Sequence, residues 1–281
     1  MKFPVWSTVV EAFEYCWRER AAMVRFGWIP TLIVMALSIA LTALMMSLPL
    51  QASTDDQKKL VNALSGLVQA LVFLSVSVTW YQKVVLGDQA AAQRPMFALG
   101  RLEMRMLGWQ LLAIFAFAVV GIGGAFVIVA IYSAVLAGGQ EMAAVAVAIG
   151  LGAALLLAIM FTAMRLAMVL VLVALDKPVA LRAAWHMTDG LGWRLCGAIG
   201  LVTIGSGVLS LVGYALGLLF GMIGAIALGT TADNVTTFIN IVFESVTGLL
   251  IFLVSATVFG LVYRVITTHA ETMQFAETPS V

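Results

Sequence analysis

The sequence predicts an all-α integral membrane fold: six transmembrane helices in three pseudo-repeated hairpins, each preceded by an in-plane amphipathic helix. Three observations carry that expectation. Hydrophobic residues make up 63% of the 281 residues and charged residues only 10%, against about 25% charged in a soluble domain. Six apolar runs are long enough to cross a hydrocarbon core of about 30 Å. The dipeptide Gly-Trp recurs at 27–28, 108–109 and 192–193, each time where an apolar run begins. The whole chain, 1–281, reads as one polytopic membrane domain.

In chain order, residues 4–26 come first. Trp6, Val10, Phe13, Trp17 and Val24 recur at helical spacing opposite Ser7, Glu11, Glu14, Arg18 and Arg25. This is the pattern of an amphipathic helix with an aromatic face, suited to lying in the headgroup layer. The charged, amphipathic start has neither the short apolar run nor the small-residue site of a cleavable signal peptide. The spans follow at 27–48, 60–80, 107–136, 142–165 (with a possible extension to 175), 195–220 and 239–263. Only Ala-Gly-Gly-Gln-Glu separates the third span from the fourth, so a tight turn is expected. Residues 221–238 are rich in glycine and threonine and carry Asp233 and Asn234, which suggests a re-entrant or interfacial turn.

Orientation follows from Lys and Arg in the short loops. Thirteen of the fifteen lie before the first span, between the second and third, around the approach to the fifth, or after the sixth. Only Lys58 and Lys59 lie on the other side. Both termini are therefore expected in the cytoplasm of a bacterial inner membrane. A net charge of +1 points to no nucleic-acid partner. Cys16 and Cys196 are expected as reduced thiols, with no metal-ligand or disulfide spacing.

The three cytoplasmic segments look alike. Each begins at a proline (Pro4, Pro95, Pro178) and ends at a tryptophan (Trp28, Trp109, Trp193). The tryptophans are 81 and 84 residues apart. Proline suits a helix start, and tryptophan suits the membrane boundary, where its ring is buried and its N–H stays wet. The repeats are approximately 1–94, 95–177 and 178–281, each an in-plane helix with an outbound and a return span.

The stretch 174–195 carries a further likeness. It resembles a motif in uncharacterised bacterial membrane proteins related to the membrane domain fused to some glycerophosphodiester phosphodiesterases. The matching positions are Ala184, Trp185, Thr188, Gly190, Trp193 and Arg194. Asp189-Gly190 stands where that pattern has Gly-Asn or a similar pair. The resemblance implies a bundle shape and no reaction, because the catalytic domain of those relatives is missing.

No arrangement of residues points to an enzyme or a cofactor. His186 and His269 have no ligand spacing to other donors, and no nucleophile motif or phosphate loop is present. Glu244 is the best candidate for a charge inside a span, although it falls near the far surface; Gln69 and Asn240 suit helix–helix hydrogen bonds. Arg182, His186 and Asp189 share one helix face, which reads first as a solvated face. Arg101, Arg105, Arg182 and Arg194 could form a ring for lipid headgroups or a partner, with Trp28, Trp109 and Trp193 as interfacial anchors. Gly213, Gly217 and Gly221 form a small-residue seam for helix packing, within the chain or between two copies. The expected role is a non-enzymatic protein organising membrane lipids or a partner complex, the partner being another membrane protein or a second copy. A carrier of a neutral or amphiphilic solute is the alternative.

Overall fold

The computed structural model describes the backbone of residues 4–47, 54–94, 100–228 and 232–277. Side chains are described for 4–41, 64, 66, 72–94, 100–223, 236, 239–240, 242–243 and 245–268. Pro95 and the side chains of His269, Glu244, Gln69, Lys58 and Lys59 lie outside the described residues.

The described chain is all-helical: α1 (Val5–Arg18), α2 (Arg20–Ser47), α3 (Thr54–Leu86), α4 (Asp88–Ala92), α5 (Arg101–Ala137), α6 (Glu141–Leu166), α7 (Met168–Ala174), α8 (Leu181–Met187), α9 (Gly192–Leu228) and α10 (Ala232–Glu277). Five stretches are long and apolar enough to cross a membrane: Arg20–Leu41, Arg101–Ala137, Glu141–Ala174, Gly192–Ile223 and Ser245–Thr268. The expected span at 60–80 falls inside α3, of which Val72–Leu86 is a shorter apolar stretch among the described residues.

The helices pair as α2 with α3, α5 with α6 and α9 with α10, and α10 also packs on α1, α2, α3 and α7. The core is therefore built around α10. Leu253, Val258 and Val262 are buried there against Val76, Val78 and Trp80 of α3. Gly260 lets α3 approach, since a Cβ at that position would lie 2.6 Å from Val84. Phe73 stacks on Phe252 with ring centroids 5.8 Å apart. Trp80 is fully buried, and its Nε1–H donates to Thr257 Oγ1 at 2.9 Å. Thr257 also meets Cys16 Sγ at 3.4 Å and donates to the Leu253 carbonyl at 2.8 Å. One hydroxyl thus joins α1, α3 and α10. By contrast, beyond Glu103 and Met106 near its start α5 buries nothing, and little of the α6 span is buried, so this hairpin presents most of its apolar side chains outward.

Several boundaries differ from expectation. The helix expected over 4–26 breaks at Glu19, and residues 20–26 open α2. The side of α1 that packs on α9 and α10 is Thr8, Val9, Ala12 and Cys16, whereas Trp6 and Trp17 are 68% and 74% exposed. Small residues one turn apart allow the close approach that an aromatic stripe would block, and this leaves the aromatic face outward.

The segment expected as the second repeat has no separate helix within 100–109. Helix α5 starts at Arg101, its N-terminus capped by Glu103 on the Gly100 N–H at 2.9 Å, and runs unbroken through Trp109. The segment expected as the third repeat does have a short helix, α8, followed by a turn. Gly138 and Gly139 (φ 75°) make the expected tight turn between α5 and α6. The fourth span bends at Ala167 and continues as α7. In 221–238, helix α9 continues to Leu228 and α10 begins at Ala232; residues 229–231, where the expected re-entrant or interfacial turn would fall, lie outside the described residues.

Candidate functional site

The polar contacts gather at one end of the bundle, where the helix breaks lie. Arg165, in the last turn of α6, is their centre and only 7% exposed. Its Nε–H donates to Thr188 Oγ1 at 3.1 Å. One terminal nitrogen donates to the Trp185 carbonyl at 2.6 Å and to Asp189 Oδ1 at 2.7 Å. The guanidinium plane lies 3.9 Å from the Trp185 ring centroid and 5.7 Å from that of Phe161. Phe161 in turn meets Trp193 at 5.0 Å and occupies the space a Cβ on Gly192 would need. The last carbonyls of a helix lack partners in its own ladder; at the end of α8 the Trp185 carbonyl accepts the Thr188 N–H at 3.3 Å and hydroxyl at 3.0 Å, and Arg165 adds a charged donor.

The motif of the third segment folds around this arginine. Ala184 and Thr188 are fully buried, and Gly190 turns the chain with φ 73°. The hydrogen bond from Arg165 holds the exposed Asp189 carboxyl below the usual carboxylate range, with the nearby positive charges acting in the same direction. His186 Nδ1 approaches Asp189 Oδ2 at 3.8 Å.

Lys83 plays a similar part at the base of α3. Its side chain is 5% exposed and bridges Glu19 at 2.9 Å and Asp88, tying the α1–α2 break to the start of α4. Arg94 reaches the buried Glu103 at 2.5 Å. Gln82 donates to the Ala174 carbonyl at 2.7 Å, closing the end of α7. That end is a Schellman motif: Lys177 N–H reaches the Leu172 carbonyl and Asp176 N–H the Val173 carbonyl, both at 3.0 Å. Asp176 takes the left-handed position with φ 52° and accepts Arg105 at 2.7 Å.

The four arginines expected as a ring are therefore divided. Arg105 is engaged by Asp176, and Arg194 is half-buried with a contact of its own. Arg101 and Arg182 are exposed and have no ion-pair partner among the described residues. Trp28 and Trp193 are exposed at helix surfaces, whereas Trp109 is half-buried and packs against the core. Gly213 and Gly217 face Phe243 and Asn240 of α10, and Thr236 donates to the Gly217 carbonyl at 3.3 Å; Gly221 is buried as well. That seam packs within the chain. Cys16 and Cys196 are both free and buried, and burial pushes the Cys16 thiol up. Among the described residues no group of donors could hold a metal ion.

Below the ionic end lies a groove of about 810 Å³ between α2 and α9, floored by α10 and roofed by the end of α1. Its walls are apolar apart from Arg20 at the upper end and a few hydroxyl and thiol groups. Thr31 donates to the Gly27 carbonyl at 2.8 Å and Ser206 to the Thr203 carbonyl at 2.6 Å, so these hydroxyls are satisfied by their own helices. Arg20 stays exposed, with Nη1 donating to the Trp17 carbonyl at 3.3 Å and the guanidinium 5.7 Å from the Trp17 ring.

Reasoning from sequence missed Arg165 and Lys83 as anchors. Their only sequence signal is position: each is a lone basic residue closing a return span. The groove has no local sequence signal, because two helix pairs far apart in the chain, α1 with α2 and α9 with α10, build it. No protein-family model matches the chain, and no curated protein or solved structure matches it.

Proposed function

We propose that this chain is a six-span protein of a bacterial inner membrane, with both termini cytoplasmic, that organises lipid or a partner membrane complex without catalysing a reaction. The observation that carries the reading is the division of charge at the ionic end. Lys83, Arg94, Arg105 and Arg165 hold acids of their own chain and set the helix breaks. Arg101, Arg182 and the aromatic face of α1 point outward, where an anionic leaflet would lie. The excess of Lys and Arg in the loops at this end supports a cytoplasmic placement. The recurring Gly-Trp supports three related hairpins, and the likeness to the phosphodiesterase membrane domain supports a bundle shape alone.

The test is lipid retention by the purified chain in mild detergent. Arg101→Gln with Arg182→Gln lowers retained anionic lipid by at least about five-fold, since each arginine near an anionic surface contributes about 1 kcal/mol. Unchanged retention would overturn the reading. A carrier of an amphiphilic solute is the second reading, favoured by the apolar groove between α2 and α9. Exchange of a labelled amphiphile between leaflets of proteoliposomes separates the two, since an organiser leaves that rate at the protein-free value.

A further inference from the structure

We propose that the groove between α2 and α9 holds one acyl chain of an anionic membrane phospholipid, with the headgroup phosphate on Arg20. The proposal rests on the membrane reading above and names the lipid that this part of the protein takes.

The shape of the groove comes from helix packing. Helices α2 and α9 both pack on α10, and α1 spans the top by packing on α2, α9 and α10. Gly27 brings α2 onto Leu249 of α10, while Gly205 on the α9 wall has nothing within 4 Å of where a Cβ would stand. One glycine closes the floor and the other leaves room above it. The volume of about 810 Å³ lies within the range of ligand pockets, roughly 300–1,000 Å³.

The length suits one leaflet. The α2 wall runs from Arg20 to Met35, about 22 Å of helix, which exceeds half of a hydrocarbon core of about 30 Å. The chemistry suits a tail. The wall hydroxyls of Thr31 and Ser206 are bonded to their own helices, and Cys16 is bonded to Thr257. Among the described residues no buried side-chain nitrogen or oxygen lacks a partner. The interior therefore offers nothing to a polar solute and would hold water poorly.

Charge at the open end selects the head. Arg20 is the cation lining the groove, and Trp17 beside it provides a ring suited to the headgroup layer. The acid next in sequence, Glu19, is engaged by Lys83 at 2.9 Å and so does not neutralise Arg20. A phosphate at this point gains a charge-assisted hydrogen bond from a guanidinium already braced by the Trp17 carbonyl.

The experiment is a titration of the delipidated full chain in detergent, followed by native mass spectrometry. The probes are phosphatidylglycerol and phosphatidylcholine with identical acyl chains. One phosphatidylglycerol per chain binds more tightly than any phosphatidylcholine. Gly205→Phe, which projects into open space, weakens that first binding by at least about ten-fold, the effect of withdrawing two methylenes from apolar contact. Its melting temperature stays that of the unaltered chain, which shows that the fold is kept. Arg20→Gln weakens phosphatidylglycerol binding by about five-fold and phosphatidylcholine binding by less, because the choline cation already offsets that phosphate, so the preference for phosphatidylglycerol falls. Unchanged phosphatidylglycerol binding in Gly205→Phe overturns the groove assignment, and an unchanged preference in Arg20→Gln overturns the headgroup assignment. If Gly205→Phe has no effect while the Arg101 and Arg182 double variant loses lipid, the groove inference fails and the broader reading stands. If neither changes lipid binding, both fail.

Discussion

Replacing Arg165 by alanine should destabilise the bundle more than any other single change at its ionic end. The side chain is almost fully enclosed, and its loss removes the charged donors to the Trp185 carbonyl and the Thr188 hydroxyl at 2.6 and 3.1 Å, leaving these two groups only their neutral bonds to one another and to the Ala184 carbonyl. A hydrogen bond to a charged group contributes about 1.5–3 kcal/mol net, but the two share one guanidinium and do not add in full. Stacking on Trp185 at 3.9 Å contributes about 1 kcal/mol more. The ion pair with Asp189 is exposed to solvent and adds little. The expected loss is about 3–4 kcal/mol, or a fall in melting temperature of about 10 °C for a chain of this size. Thermal unfolding in mild detergent, followed by tryptophan fluorescence, measures it. Arg165→Lys keeps the charge but loses the planar fork and the stack, and should fall between alanine and arginine. Asp189→Asn should melt close to the unaltered protein. A melting temperature for Arg165→Ala within about 2 °C of the unaltered chain would refute the reasoning. So would an Asp189→Asn variant as damaged as Arg165→Ala, because the exposed pair and not the enclosed bonds would then carry the effect.

Other perturbations have equally defined outcomes. Trp80→Phe removes the donor to Thr257 while keeping most of the ring volume, and should cost about 1 kcal/mol in the same melt. Gly217→Leu drives a side chain into the Asn240 amide and should separate α9 from α10, costing about 3 kcal/mol or more; size-exclusion chromatography reads the loss of compact protein. Asp176→Gly keeps the left-handed cap and loses only an exposed ion pair, so it should be nearly neutral, whereas Asp176→Val adds about 1–2 kcal/mol of backbone strain. The Asp189 carboxyl has its folded-state pKa held down, so its contribution is complete above its unfolded value of about 3.9 and is lost as pH falls through the lower folded value. Stability should therefore show no Asp189-linked change from pH 8 to 5 and decline below about pH 4, and Asp189→Asn should remove that part of the acid decline.

The helical class and most of the long apolar stretches could be read from the chain because run length is a local property. The boundaries at Glu19 and Arg101 could not. The amphipathic pattern of 4–26 passes through Glu19 without interruption, and the break there is fixed by Lys83, more than sixty residues away. At Arg101 the capping glutamate, Glu103, is local, but its enclosure by Arg94 is tertiary. Arginine positions were legible and their partners were not. Arg105 and Arg165 read as surface cations until the fold brings Asp176 and Asp189 to them. The aromatic stripe of α1 was legible as a face turned away from the bundle, but the opposite packing side was not, because its signal of close approach lay in the inconspicuous Ala12 and Cys16.

The central place of α10 has a consequence for biogenesis. It touches five other helices, yet among the described helices it is the last to leave the ribosome. The helices made earlier can already meet across hairpins, as α5 does with α7 and α6 with α9, but the core residues of α1, α2 and α3 lack their common scaffold until α10 arrives. The packed core of this bundle is therefore completed late, after the peripheral contacts can form.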